Sequence, residues 1–83
     1  MSILVRLPEP LRGGAGESMT IDSDVRTMGE LIHILEQRIP DFAQENDELY
    51  NFAVNGEMIL HGEKNVPLKK GDEVEVLVAL SGG

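Results

Sequence analysis

Two different spacings of apolar residues divide this chain into elements. Met28, Leu31, Ile32, Leu35 and Ile39 stand at i, i+3, i+4, i+7 and i+11, with Glu30, His33, Glu36 and Gln37 between them. That spacing predicts one amphipathic helix with a single buried stripe. Thr27 and Glu30 have the separation of a capping box, and Pro40 ends the helix because the residue before a proline leaves the helical region. Elsewhere the period is two. Ser2 to Leu7 is β-favouring and predicts a first strand that Pro8 and Pro10 terminate. Glu17 to Ile21 alternates polar and apolar, forming a hairpin with it across the Gly-rich stretch Leu11–Gly16.

Asn51–Val54 and Glu57–Ile59 flank Asn55-Gly56, a dipeptide suited to a type I′ turn because both of its residues tolerate positive φ. Asp41–Glu48 reads as an acidic loop with a helical turn around Phe42. Pro67–Asp72 reads as a turn with Gly71 in a left-handed position. The order is strand, strand, helix, strand, strand, strand. One helix laid across one mixed sheet of four to five strands is the α+β arrangement that buries a single stripe.

The last strand sets up the chemistry. Val74, Val76, Val78 and Leu80 share one parity and are expected to face the helix, leaving Leu77 and Ala79 on the solvent side, beside Leu4 if the first strand is adjacent. Beyond Ser81 come Gly82 and Gly83. The folded body is thus expected to end in a short tip poor in side chains, Ser81 to Gly83, whose carboxylate reaches about 10 Å past the strand at roughly 3.3–3.6 Å per residue. Such a tip enters slots that any Cβ would block. This is the geometry required when the terminal carboxylate is itself the reacting group.

Composition narrows the function. With 83 residues the chain holds one domain, spanning 1–83, and no Cys is present to staple it or to bind a metal as thiolate. One Tyr, two Phe and no Trp predict an aliphatic core. The net charge of −8 repels phosphate backbones and anionic lipid, which argues against nucleic-acid and membrane-surface binding. No signal-peptide pattern precedes Arg6 and no apolar run is long enough to span a bilayer, so the expected location is the cytoplasm.

The tail Leu80-Ser81-Gly82-Gly83, the stretch Pro67–Val74, the segment Val54-Asn55-Gly56-Glu57, the Leu11–Gly16 loop and the helix end Arg38-Ile39-Pro40 together resemble the MoaD/ThiS family of ubiquitin-like sulfur carriers. The resemblance spans essentially the whole chain and implies the β-grasp fold. It also implies that an E1-like adenylyltransferase of the MoeB/ThiF type uses ATP to adenylate Gly83, with Gly82 beside it. A sulfurtransferase or desulfurase would then supply the sulfur of a C-terminal thiocarboxylate. Leu77, Ala79, Leu80, Ser81 and Leu4 would meet these partners, among them the large subunit of molybdopterin synthase or an analogous acceptor enzyme. The carrier would bind no cofactor stably and need no catalytic side chain. Val78-Ala79 stand where many members carry prolines, and Ser81 where Ala is frequent. Relatives that feed thiamin, cysteine or tRNA thiolation share the ending, as do modifiers joined to lysines.

Other constellations carry less. His33 and His61 have no metal-ligand spacing, and Asp22 and Asp24 lack the remaining ligands of a calcium loop. Gly14-Ala15-Gly16 is not followed by the Gly-Lys-Ser/Thr of a phosphate loop. Ser18, Ser23 and Ser81 have no base pattern beside them, and Lys69-Lys70 reads as a polar turn.

Overall fold

The structure is a computed structural model, and it describes residues 2–8, 17–22, 24–39, 42, 50–60 and 62–78. Strands β1 (Ile3–Arg6) and β2 (Ser18–Ile21) form the first hairpin, and helix α1 (Met28–Arg38) follows. Then come β3 (Tyr50–Val54), β4 (Glu57–Ile59), a 3₁₀ turn (Glu63–Asn65) and β5 (Glu73–Val78). The strands lie in the order β2-β1-β5-β3-β4, with β1 parallel to β5 and the other pairs antiparallel. This is the expected mixed sheet with one helix across it, the β-grasp arrangement. The Leu11–Gly16 connection, most of the acidic loop, and Ala79 to Gly83 lie outside the described residues.

The buried side of the sheet meets the helix stripe. Val5, Ile21, Phe52, Val74 and Val76 face Met28, Leu31, Ile32 and Leu35 in one core, which Ile39 also joins. Val74 and Val76 have the parity expected of them. Val78 shares that parity, opposite Tyr50, yet it is 40% exposed, so the expectation that it packs under the helix is corrected. The core is also not purely aliphatic. The three aromatic side chains of the chain gather in it, Phe42 stacking on Tyr50 at 5.5 Å between ring centres and meeting Phe52 edge-on at 6.1 Å. Phe42 is the helical residue expected of the loop, its N–H donating to the Ile39 carbonyl.

Caps and turns follow local chemistry. Thr27 Oγ1 accepts from the Glu30 N–H, as a capping box requires. The Glu30 carboxylate, however, accepts from the Arg26 N–H rather than that of Thr27, one residue further back than the simple box. The Met28 N–H is satisfied by the Val66 carbonyl and Leu68 N–H by the Arg26 carbonyl, which ties the segment before β5 to the helix start. Asn55 and Gly56 both have positive φ (52° and 86°), the signature of the type I′ turn.

Candidate functional site

The solvent side of the sheet is built by alternation. Register places Leu4 opposite Glu73 and Arg6 opposite Glu75, so these four side chains share the outer face with Leu77, which pairs with Asn51 of β3. Leu4 and Leu77 are each half-buried, and Ala53, opposite Glu75, is buried on the same face. Leu77 is therefore on the solvent side, as its parity requires.

Leu4 is on that side too, but it is not beside Leu77. Its partner Glu73 lies four residues earlier on β5, about 13 Å away at the strand rise. Arg6 and Glu75 fill the interval. The guanidinium of Arg6 forms a hydrogen-bonded ion pair with the Glu73 carboxylate. That hydrogen bond, then the Glu73 charge, and more weakly the Glu75 charge, hold Arg6 above its ordinary pKa against a small opposing effect of burial. Among the described residues of the outer face, a charged band thus separates Leu4 from Leu77. Parity gave the face; register, which no local signal fixes, gave the separation.

At the opposite end of β5 sits a group that the sequence reading passed over. Asp72 is buried, with one carboxylate oxygen accepting from the Lys69 N–H at 2.9 Å and the other from Asn55 Nδ2 at 3.0 Å. Burial alone would raise its pKa. The Lys69 backbone bond, the Asn55 bond and the Lys69 charge outweigh burial and hold it below the ordinary 3.8. Asn55 completes the link by accepting from the Glu73 N–H through Oδ1 at 2.9 Å, while its own N–H donates to the Glu73 carbonyl. The two motifs Pro67–Val74 and Val54–Glu57 therefore meet in space, and their polar residues are structural. They lock the start of β5 and so aim its far end.

Among the described residues no group of His, Asp or Glu is arranged to hold a metal ion, and no helix is long and apolar enough to cross a membrane. His33 is exposed on α1, its Nε2 3.4 Å from Gln37 Nε2. Of the residues expected to react or dock, Leu4 and Leu77 are placed as above, while Ala79, Leu80, Ser81, Gly82 and Gly83 lie outside the described residues.

The model of the ThiS family matches residues 5–83. The chain is 28% identical to a chain of the complex of subunits 1 and 2 of the molybdopterin-converting factor from Helicobacter pylori, each chain covered in full, with a TM-score of 0.69. It is 26% identical to a chain of the Amycolatopsis orientalis BexX/CysO complex, covering 98% of this chain and 99% of that one, with a TM-score of 0.73. SAMP1 of Haloferax volcanii has the same fold at 23% identity, each chain covered in full, with a TM-score of 0.77. No curated protein matches the chain.

Proposed function

The chain belongs to the ThiS family of small ubiquitin-like sulfur carriers, and on that premise we propose that its own reacting group is the carboxylate of Gly83. A carboxylate is a poor electrophile until a good leaving group is attached. An E1-like adenylyltransferase spends ATP to attach AMP to Gly83, releasing pyrophosphate. Sulfide then displaces AMP directly, or a donor persulfide displaces it to form an acyl disulfide that a thiol cleaves, and the product is a thiocarboxylate nucleophilic enough to deliver sulfur to an acceptor. The carrier contributes no acid, base or metal to these steps. Its contribution is position: Asp72 and Asn55 fix where β5 begins, the core fixes its direction, and Gly82-Gly83 supply an end slim enough to enter an active site.

The observation that carries this reading is the extent of the family match, which continues through the Gly-Gly end to residue 83. The acceptor we favour is a precursor of molybdopterin, with the large subunit of molybdopterin synthase as the partner that receives the tail. Support for it comes from the full-length similarity to a chain of the Helicobacter pylori molybdopterin-converting factor complex. Delivery into cysteine synthesis is the neighbouring reading, and the similarity to a chain of the BexX/CysO complex is what favours it.

Deletion of Gly83 is the test. It should abolish ATP–pyrophosphate exchange with the cognate adenylyltransferase while leaving the melting temperature nearly unchanged, because a terminal residue contributes little burial. A truncated chain that is still adenylated would remove the terminal glycine from the reaction.

A further inference from the structure

Pairing between β1 and β5 stops short of the end of β5. The register runs from Leu4↔Glu73 to Arg6↔Glu75, whereas β5 continues to Val78 and β3 accompanies it on its other side as far as Tyr50↔Val78. Past Glu75, the β1-side edge of β5 has no strand beside it among the described residues. The cause is local. Leu7 gives its N–H to the Glu17 carbonyl of the hairpin at 2.9 Å, and the next residue, Pro8, has no N–H to give.

The phase of the ladder identifies the groups left open. Leu4 N–H donates to the Asp72 carbonyl, and Asn55 N–H donates to the Glu73 carbonyl. Even-numbered residues of β5 therefore direct their backbone groups toward β1 and odd-numbered ones toward β3. Beyond Arg6, the carbonyl of Val76 and both backbone groups of Val78 point into the gap. A concavity of about 460 Å³ lies elsewhere, beside β4, but the one at this gap, about 270 Å³, is lined by Arg6, Pro8, Glu17, Glu75, Leu77 and Val78.

We propose that this gap receives an extended segment of the enzyme that activates Gly83, added to β5 as a strand through the backbone of Val78 and bearing a basic side chain opposite Glu17 and Glu75. The inference rests on the sulfur-carrier reading. Charge selects the occupant: Glu17 and Glu75 are exposed, and among the described residues lining the gap the cation, Arg6, is already bonded to Glu73. Position selects it too, because Val78 lies five residues before Gly83 and next to Leu77 of the outer face. Strand addition supplies backbone hydrogen bonds that hold an extended chain in one direction. Here it fixes the direction in which the tail leaves the body.

Amide exchange of the labelled full chain, alone and with the cognate adenylyltransferase, tests the proposal, with ATP–pyrophosphate exchange measured in parallel. The Val78 amide should exchange at least about tenfold more slowly in the complex. Val78→Pro removes a donor that β1 does not use and fixes φ at a position paired with Tyr50. It should bind about tenfold more weakly with an unchanged circular dichroism spectrum, whereas Val78→Thr should bind as the parent does. If Val78→Pro fails to fold, the amide of the parent chain decides alone. Adenylation with an unprotected Val78, or a folded Val78→Pro chain of undiminished affinity, overturns the inference and leaves the sulfur-carrier reading standing. Protection already present in the isolated chain also overturns it: independent of concentration, the chain's own residues fill the gap, and rising with concentration, a second copy does. Absence of any adenylation removes the sulfur-carrier reading and this inference with it.

Discussion

Asn55 Nδ2 donates to Asp72 Oδ1 at 3.0 Å across seventeen residues of sequence, joining the tip of the β3–β4 hairpin to the turn that launches β5. Each side chain also serves the backbone of the other's segment or its own turn, so loss of either leaves part-buried polar groups without these partners. Asp72→Ala is therefore expected to destabilise the fold by about 1–3 kcal/mol, the usual cost of orphaning such groups. Urea unfolding of the variant checks this. An unchanged midpoint would mean that the turn holds without the carboxylate.

The same carboxylate sets a pH dependence. Its folded pKa is depressed, so its contribution is complete above the ordinary value of 3.8 and is lost as pH falls through the lower folded value. The stability gap between the parent chain and Asp72→Asn should accordingly be constant near neutrality and shrink below pH 3.8. Chemical denaturation at a series of pH values reads this directly. A gap that widens on acidification would reverse the assignment.

Gly29 is a second site where backbone approach decides the residue. A Cβ there would lie 3.0 Å from the Lys64 carbonyl oxygen, in the 3₁₀ turn against the first turn of α1. Alanine normally gains about 1 kcal/mol over glycine in a helix. Gly29→Ala should lose that gain to the contact and come out about 1 kcal/mol less stable than the parent, since overpacking typically costs 1–3 kcal/mol. A variant stabilised by the full helix increment would show that the turn yields freely.

The helix and the Asn55-Gly56 hairpin were legible because their signals are local: one stripe, one cap, one pair of positive-φ residues. The parity of Leu77 was legible for the same reason. What the sequence did not reveal depends on partners far along the chain. The role of Asp72 depends on Asn55, the gathering of Phe42, Tyr50 and Phe52 on the bond from the Phe42 N–H to the Ile39 carbonyl, and the separation of Leu4 from Leu77 on the β1–β5 register. Register flips or shifts every side chain of a strand with no change in composition. The expected adjacency of Leu4 to Leu77 failed on that point alone. The last five residues are the ones whose chemistry the sequence states most clearly, and they lie outside the described structure.

Leu77 is the side chain through which docking can be separated from folding. It is half-buried on the outer face opposite Asn51, away from the helix. Leu77→Glu should retain the parent's circular dichroism spectrum and weaken binding to the adenylyltransferase by about 2 kcal/mol or more, the threshold for an interface hot spot. A folded Leu77→Glu chain with undiminished affinity would take Leu77 out of the interface.

The most direct measurement is the intact mass of the chain after incubation with ATP, its cognate adenylyltransferase and a sulfur donor. The account predicts a mass gain equal to replacement of one oxygen by one sulfur, located at Gly83 by fragmentation and absent when ATP is withheld. A chain that leaves that reaction with its original mass, in the presence of an enzyme shown to be active, would contradict the assignment of Gly83 as the group that carries sulfur.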